Sequence, residues 1–126
     1  MTFRKISGVS PYESAYGFSR AVRAGNLVAV SGTAPIWPDG SVPPDAASQA
    51  RRCRELVGAA LEQAGASLAN VIRTRMYITD PAVADAVGAV HREVLGAVRP
   101  AATMVVVAAL LDPRWLVEVE AEAVLG

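Results

Sequence analysis

Residues 99–123 read RPAATMVVVAALLDPRWLVEVEAEA, and their pattern decides the fold. An Arg-Pro turn leads into Met104–Leu111, eight apolar residues in a row, broken by Asp112, Pro113 and Arg114. After the break, Val117, Val119 and Ala121 alternate with Glu118, Glu120 and Glu122. A continuous apolar run suits a strand covered on both faces, whereas strict alternation marks a strand with two unlike faces. Three carboxylates on one strand face repel each other unless cations or water meet them.

Working outward, the chain has 126 residues, enough for one domain with a real core, here taken as 1–126. It is 52% hydrophobic and 19% charged, with a mean hydropathy of +0.32. That excess is high for a small monomer and points to burial between subunits. Twelve basic and twelve acidic residues balance, against the basic footprint of a nucleic-acid binder. Lys5 is the one lysine, so the cationic chemistry is that of the guanidinium fork. A single cysteine permits no internal disulfide. No apolar run approaches a membrane span and no signal-peptide core opens the chain, so the expected location is the cytoplasm, with no membrane partner.

Phe3–Ile6 reads as a short edge strand, Ser7–Ser14 as a loop around Pro11, and Gly17–Arg23 as a strand. Ala24-Gly25-Asn26 turns it into Leu27–Ser31, a hairpin ending at Ser31-Gly32-Thr33. Pro35–Pro44 is a Pro- and Gly-rich loop. A helix from Pro44-Asp45 to about Ala64 presents Ala46, Gln49, Cys53, Val57, Ala60, Leu61 and Ala64 as its buried stripe, with Arg51, Arg54, Glu55 and Glu62 mostly outward. Cys53 in that stripe reads as a packing thiol. In the strand Val71–Thr79, Ile72, Thr74, Met76 and Ile78 form one face, and Arg73, Arg75 and Tyr77 the other. Asp80 caps a second helix that reaches Leu95. The order β-β-β-α-β-α-β-β predicts an α+β layer, two helices on one face of a mixed sheet, with the other face left for association.

The segments AVRAGNLVAVSGTAP and RPAATMVVVAALLDPRWLVEVEAEA, with the two helices between them, resemble the Rid (YjgF-type) family over essentially the whole chain. The best-known members of that family deaminate reactive enamines and imines. The resemblance implies a chorismate-mutase-like fold, a homotrimer with clefts between subunits, a small-molecule substrate, and neither metal nor organic cofactor. The imine-hydrolysing members hold the substrate carboxylate with an arginine directly after the Pro-Ala of the turn, where this chain has Ala102. Their cleft tyrosine matches Phe18 and their helix asparagine Gly88. The serine of the SG turn is kept as Ser31, beside Gly32, and the acidic residue of the last strand as Glu118. These departures imply altered selectivity.

Glu118 is thus the candidate catalytic residue, either activating water for attack on a C=N carbon or serving as an ion-pair partner. Arg75 either replaces the lost carboxylate grip or, with Arg73, neutralises the strand glutamates. Arg99 either lines the cleft or clamps its turn. His91 has no triad or ligand set around it, and Trp37 is a cleft lid or a subunit contact. Three function classes stay open: a small C=N or acyl hydrolase, a non-catalytic trimer that binds keto acids, and an RNA-acting protein.

Overall fold

In the computed structural model, which describes residues 3–126, six strands form one mixed sheet in the order β1-β2-β3-β6-β4-β5. The strands are β1 (Phe3–Ile6), β2 (Ala21–Ala24), β3 (Leu27–Thr33), β4 (Val71–Ile78), β5 (Ala101–Val106) and β6 (Val117–Val124). All neighbours are antiparallel except β4 and β5. The helices are α1 (Tyr12–Tyr16), α2 (Ala46–Gln63) and α3 (Ala84–Leu95). The last strand, read from its alternation, occupies the centre of the sheet, hydrogen-bonded to β3 on one side and β4 on the other. The expected α+β architecture is therefore present.

Local chemistry places the two long helices. Asp45 caps α2 by accepting the Ser48 N–H at 2.9 Å. Gly65, at φ +84°, takes the left-handed turn that ends it. The whole expected stripe of α2 is buried, Gln49 included. Gln49 is fully bonded: its amide donates to Pro43 O and Arg114 O, and its carbonyl accepts from Leu116 N at 2.7 Å. That satisfies a buried polar group and ties the loop before β6 to the helix. Asp80 accepts from Ala82 N ahead of a 3₁₀ turn, Pro81–Val83, that leads into α3. Both helices cover the Val117, Val119, Ala121 and Ala123 face of β6 together with Met76 and Ile78 of β4.

Four expectations need correcting. Residues expected as loop and strand between Ser7 and Arg20 instead form α1 and a turn. Gly17, at φ +77°, ends the helix with its N–H on Glu13 O, and only Ala21–Ala24 pair in the sheet. A five-residue helix opened by Pro11 has too little periodicity to be read from sequence. The apolar run 104–111 is not one strand: β5 pairs as Ala101–Val106 and the chain then leaves the sheet, because β4 ends at Ile78. Being an edge strand, β5 is not covered on both faces, and Val105 and Val106 are exposed. On β4, a register shift opposite β6 between Val71 and Arg73 buries Val71 in place of Ile72, which is exposed. Arg54, expected outward, is buried.

Candidate functional site

The outward side of β6 sorts its three glutamates into different company. Across the β4 ladder, Tyr77 lies opposite Glu118, Arg75 opposite Glu120, and Arg73 opposite Glu122. Arg75 Nη1 lies 3.1 Å from Glu122 Oε1 and 3.6 Å from Glu120 Oε2. Tyr77 donates its hydroxyl to Glu120. Arg75 is thereby engaged within the sheet face, and Glu120 and Glu122 are both partnered.

Glu118 is left out of that network. It faces β3 where the pairing with β6 shifts register between Val30 and Thr33, at the Ser31-Gly32 step. Gly32 is there for space: a Cβ on it would collide with Glu118 Oε2. Burial pushes the Glu118 carboxyl above its usual range; the Arg20 charge opposes this and the Glu120 charge adds to it.

Arg20, which precedes β2, was not singled out in the sequence. It is 6% exposed and donates from Nη2 to Gly32 O at 2.7 Å. Its guanidinium lies over the Phe18 ring, 5.6 Å from the centroid. Its stem runs past Gly8, where a Cβ would come within 2.9 Å of Arg20 Cγ and Cδ. Burial lowers the Arg20 pKa against the raising effect of the Glu13 and Glu118 charges. A cavity of about 90 Å³ opens here, lined by Tyr12, Phe18, Arg20, Gly32, Trp115 and Glu118 among others. One water needs about 10–15 Å³ on this measure, so the space holds several waters or one small molecule. The arginine within the FSRAV segment was the signal for this residue, since an isolated cation leading into a buried strand must be housed somewhere.

Phe18, Gly32 and Glu118 line one cavity, with Arg20 added. Ser31 is beside them but occupied: its hydroxyl donates to Ser19 O at 2.7 Å and its N–H to Arg20 O. Arg99 sits elsewhere, closing α3 with its N–H on Leu95 O and a φ of +52°. Its side chain lines a separate concavity with His91 and Pro100. Ala102 is exposed on β5, in register with Thr74, whose side chain points to the helix layer. Gly88 lies against the same strand, a Cβ on it falling about 4.0 Å from Met104 Cε. Within one chain, Ala102 and Arg99 thus do not join the Glu118 cavity.

The remaining candidates have structural partners. His91 Nε2 is 2.8 Å from Thr74 Oγ1, and burial, with the Arg54 charge second, lowers its pKa. Cys53 is buried and its thiol is pushed up to about 12, mainly by burial. Trp37 packs under Arg52, which also donates to Ile36 O, so it anchors the Pro-rich loop on α2. Arg54 is only 2% exposed, and none of its three side-chain nitrogens has a partner among the described residues.

The family model described as Endoribonuclease L-PSP matches residues 9–125. An uncharacterized protein of Streptomyces coelicolor is 36% identical over 98% of this chain and 92% of its own length. The 2-iminobutanoate/2-iminopropanoate deaminase of Escherichia coli is 34% identical over half of each chain. Among solved structures, Rv2704 of Mycobacterium tuberculosis, described as a member of the YjgF/YER057c/UK114 family, superposes with a TM-score of 0.90. It is 44% identical and covers 98% of this chain and all of its own.

Proposed function

This chain belongs to the Rid (YjgF-type) family, and from that premise we propose that it hydrolyses the C=N bond of a small imine in the cavity beside Glu118. One observation carries the reading: Glu118 is a desolvated carboxylate on a cavity wall, outside the ion pairs that engage its neighbours Glu120 and Glu122. A carboxyl held above its ordinary range is better matched to moving protons in both directions near neutral pH. As water attacks the C=N carbon, Glu118 takes a proton from it. Glu118 returns that proton to the nitrogen, giving the carbinolamine, and then carries the carbinolamine hydroxyl proton to the nitrogen as the C–N bond breaks, leaving a carbonyl compound and ammonia. The deaminase named above supports imines of short 2-oxo acids as the substrate class. In freshly generated 2-iminopropanoate the chain is expected to release ammonia faster than buffer alone. A rate no greater than the spontaneous one, at micromolar protein, contradicts the proposal.

Ala102 belongs to this account as a selectivity feature. Without an arginine there, imines bearing a carboxylate lose a charge-assisted contact that is typically worth about 1.5–3 kcal/mol. Installing Ala102→Arg is expected to raise their hydrolysis by one to two orders of magnitude. If the variant is no faster than wild type, position 102 has no access to the reacting cleft.

The working form is a homotrimer. Val105 and Val106 on edge strand β5, with Leu111 beyond it, are exposed large apolar side chains. At about 25 cal/mol per Å², covering such a strip with a second copy stabilises association. Light scattering is expected to give three times the chain's 13.1 kDa; a folded monomer at micromolar concentration contradicts this. A second reading, a trimer that binds an oxo acid without turning it over, is favoured by Gly88, which stands where the family's helix asparagine is expected. It predicts binding without ammonia release. The RNA-acting reading stays outside the proposal, since the chain's charges balance.

A further inference from the structure

Arg20 has no role in the proton transfers above. A guanidinium is costly to bury, and proteins bury one where its donors are met. Here one acceptor, Gly32 O, meets Nη2, and Nε has no partner among the described residues. The two carboxylates that act on its charge do not pair with it. Glu13 accepts instead from the N–H groups of Gly8 and Ser10, at 2.8 and 3.3 Å. Glu118 lines the same cavity. The Phe18 ring and the Gly8 backbone hold the side chain in place. The result is a fixed cation with unspent donors on the wall of a small cavity.

We propose that Arg20 is the anion clamp of this cavity, taking the carboxylate of a small 2-imino or 2-oxo acid opposite Glu118. The inference deepens the hydrolase reading and rests on it for the choice of cavity. Other arginines are not available in this chain's cavity: Arg75 is held by Glu120 and Glu122, and Arg99 lines another concavity. The occupant is a monoanion, because Glu13 and Glu118 would repel the second charge of a phosphate. Its remaining substituent is short and apolar, because aromatic rings of Tyr12, Phe18 and Trp115 make up much of the wall of a space of about 90 Å³.

Calorimetry with pyruvate, and with butane-2,3-dione as an uncharged counterpart, tests this on the full chain. Pyruvate is expected to bind and the dione not. Arg20→Gln should weaken pyruvate about tenfold to a hundredfold, as expected for loss of a hydrogen-bonded charge, with Arg20→Lys in between. Because Arg20 is buried and its variants could unfold, a wild-type crystal soaked in pyruvate provides a second arm, with the carboxylate expected on Arg20. A folded Arg20→Gln that binds pyruvate like wild type overturns the inference. So does a soaked crystal with the carboxylate on another residue, or with none bound. Pyruvate on Arg20 without ammonia release overturns the hydrolase reading alone, and ammonia release that Arg20→Gln leaves unchanged overturns only the clamp.

Discussion

Glu118→Gln is expected to lower imine hydrolysis by about 10²–10⁴, the usual contribution of a positioned acid–base group, and at the same time to raise the melting temperature at neutral pH. The stability half follows from linkage. The folded state holds the Glu118 carboxyl above its unfolded value, chiefly by burial. A raised carboxyl means that the folded chain binds the proton more tightly than the unfolded chain. Stability is therefore greatest below the unfolded pKa and falls as pH rises through the folded one. Above the folded pKa the wild type carries that penalty in full, and an uncharged glutamine of the same shape relieves it. Turnover assays and thermal melts of one variant read both effects. A glutamine variant that melts lower would mean that the ionised carboxylate is a structural partner, the other reading of this residue.

The second large effect belongs to Arg54. Burial lowers its guanidinium from its ordinary value to about 10. At about 1.4 kcal/mol per pH unit, the fold carries roughly 3 kcal/mol against the charged form. For a base with a lowered pKa the penalty is complete below the folded value and is relieved only as pH rises above about 10. Replacing an uncompensated buried charge by an apolar side chain of similar length removes it. Arg54→Met is expected to stabilise the chain by about 1–4 kcal/mol at pH 7, read from denaturant unfolding. A loss of stability of that size would show that the guanidinium holds a partner in solution.

These residues mark where sequence reading stops. The alternation of Glu118, Glu120 and Glu122 was enough to define β6 and its open face, because period two leaves no choice of side. Asp45, Asp80 and the apolar stripes likewise gave α2 and α3. The run from Met104 to Leu111 misled, because apolar continuity records that a segment will be covered and not by what. Arg54 could have been found by arithmetic: it follows Ala50 by four and precedes Val57 by three, and both are buried. At residue 54 helical position outweighs charge. At the candidate site, Gly32 and Glu118 were legible as a pair of motifs that the fold brings together. Arg20 was legible only as a cation leading into a buried strand, because its place depends on Gly8, Glu13 and Phe18, which meet only once α1 has turned the chain.

The most direct measurement is the pH dependence of ammonia release from 2-iminopropanoate, corrected for the spontaneous reaction at each pH. The wild type is predicted to lose activity as pH falls through a limb above the ordinary carboxylate range, where Glu118 takes up its proton, and Glu118→Gln to lack that limb. A wild-type rate that stays flat through the acid range, or the same limb retained in the glutamine variant, would contradict catalysis by Glu118.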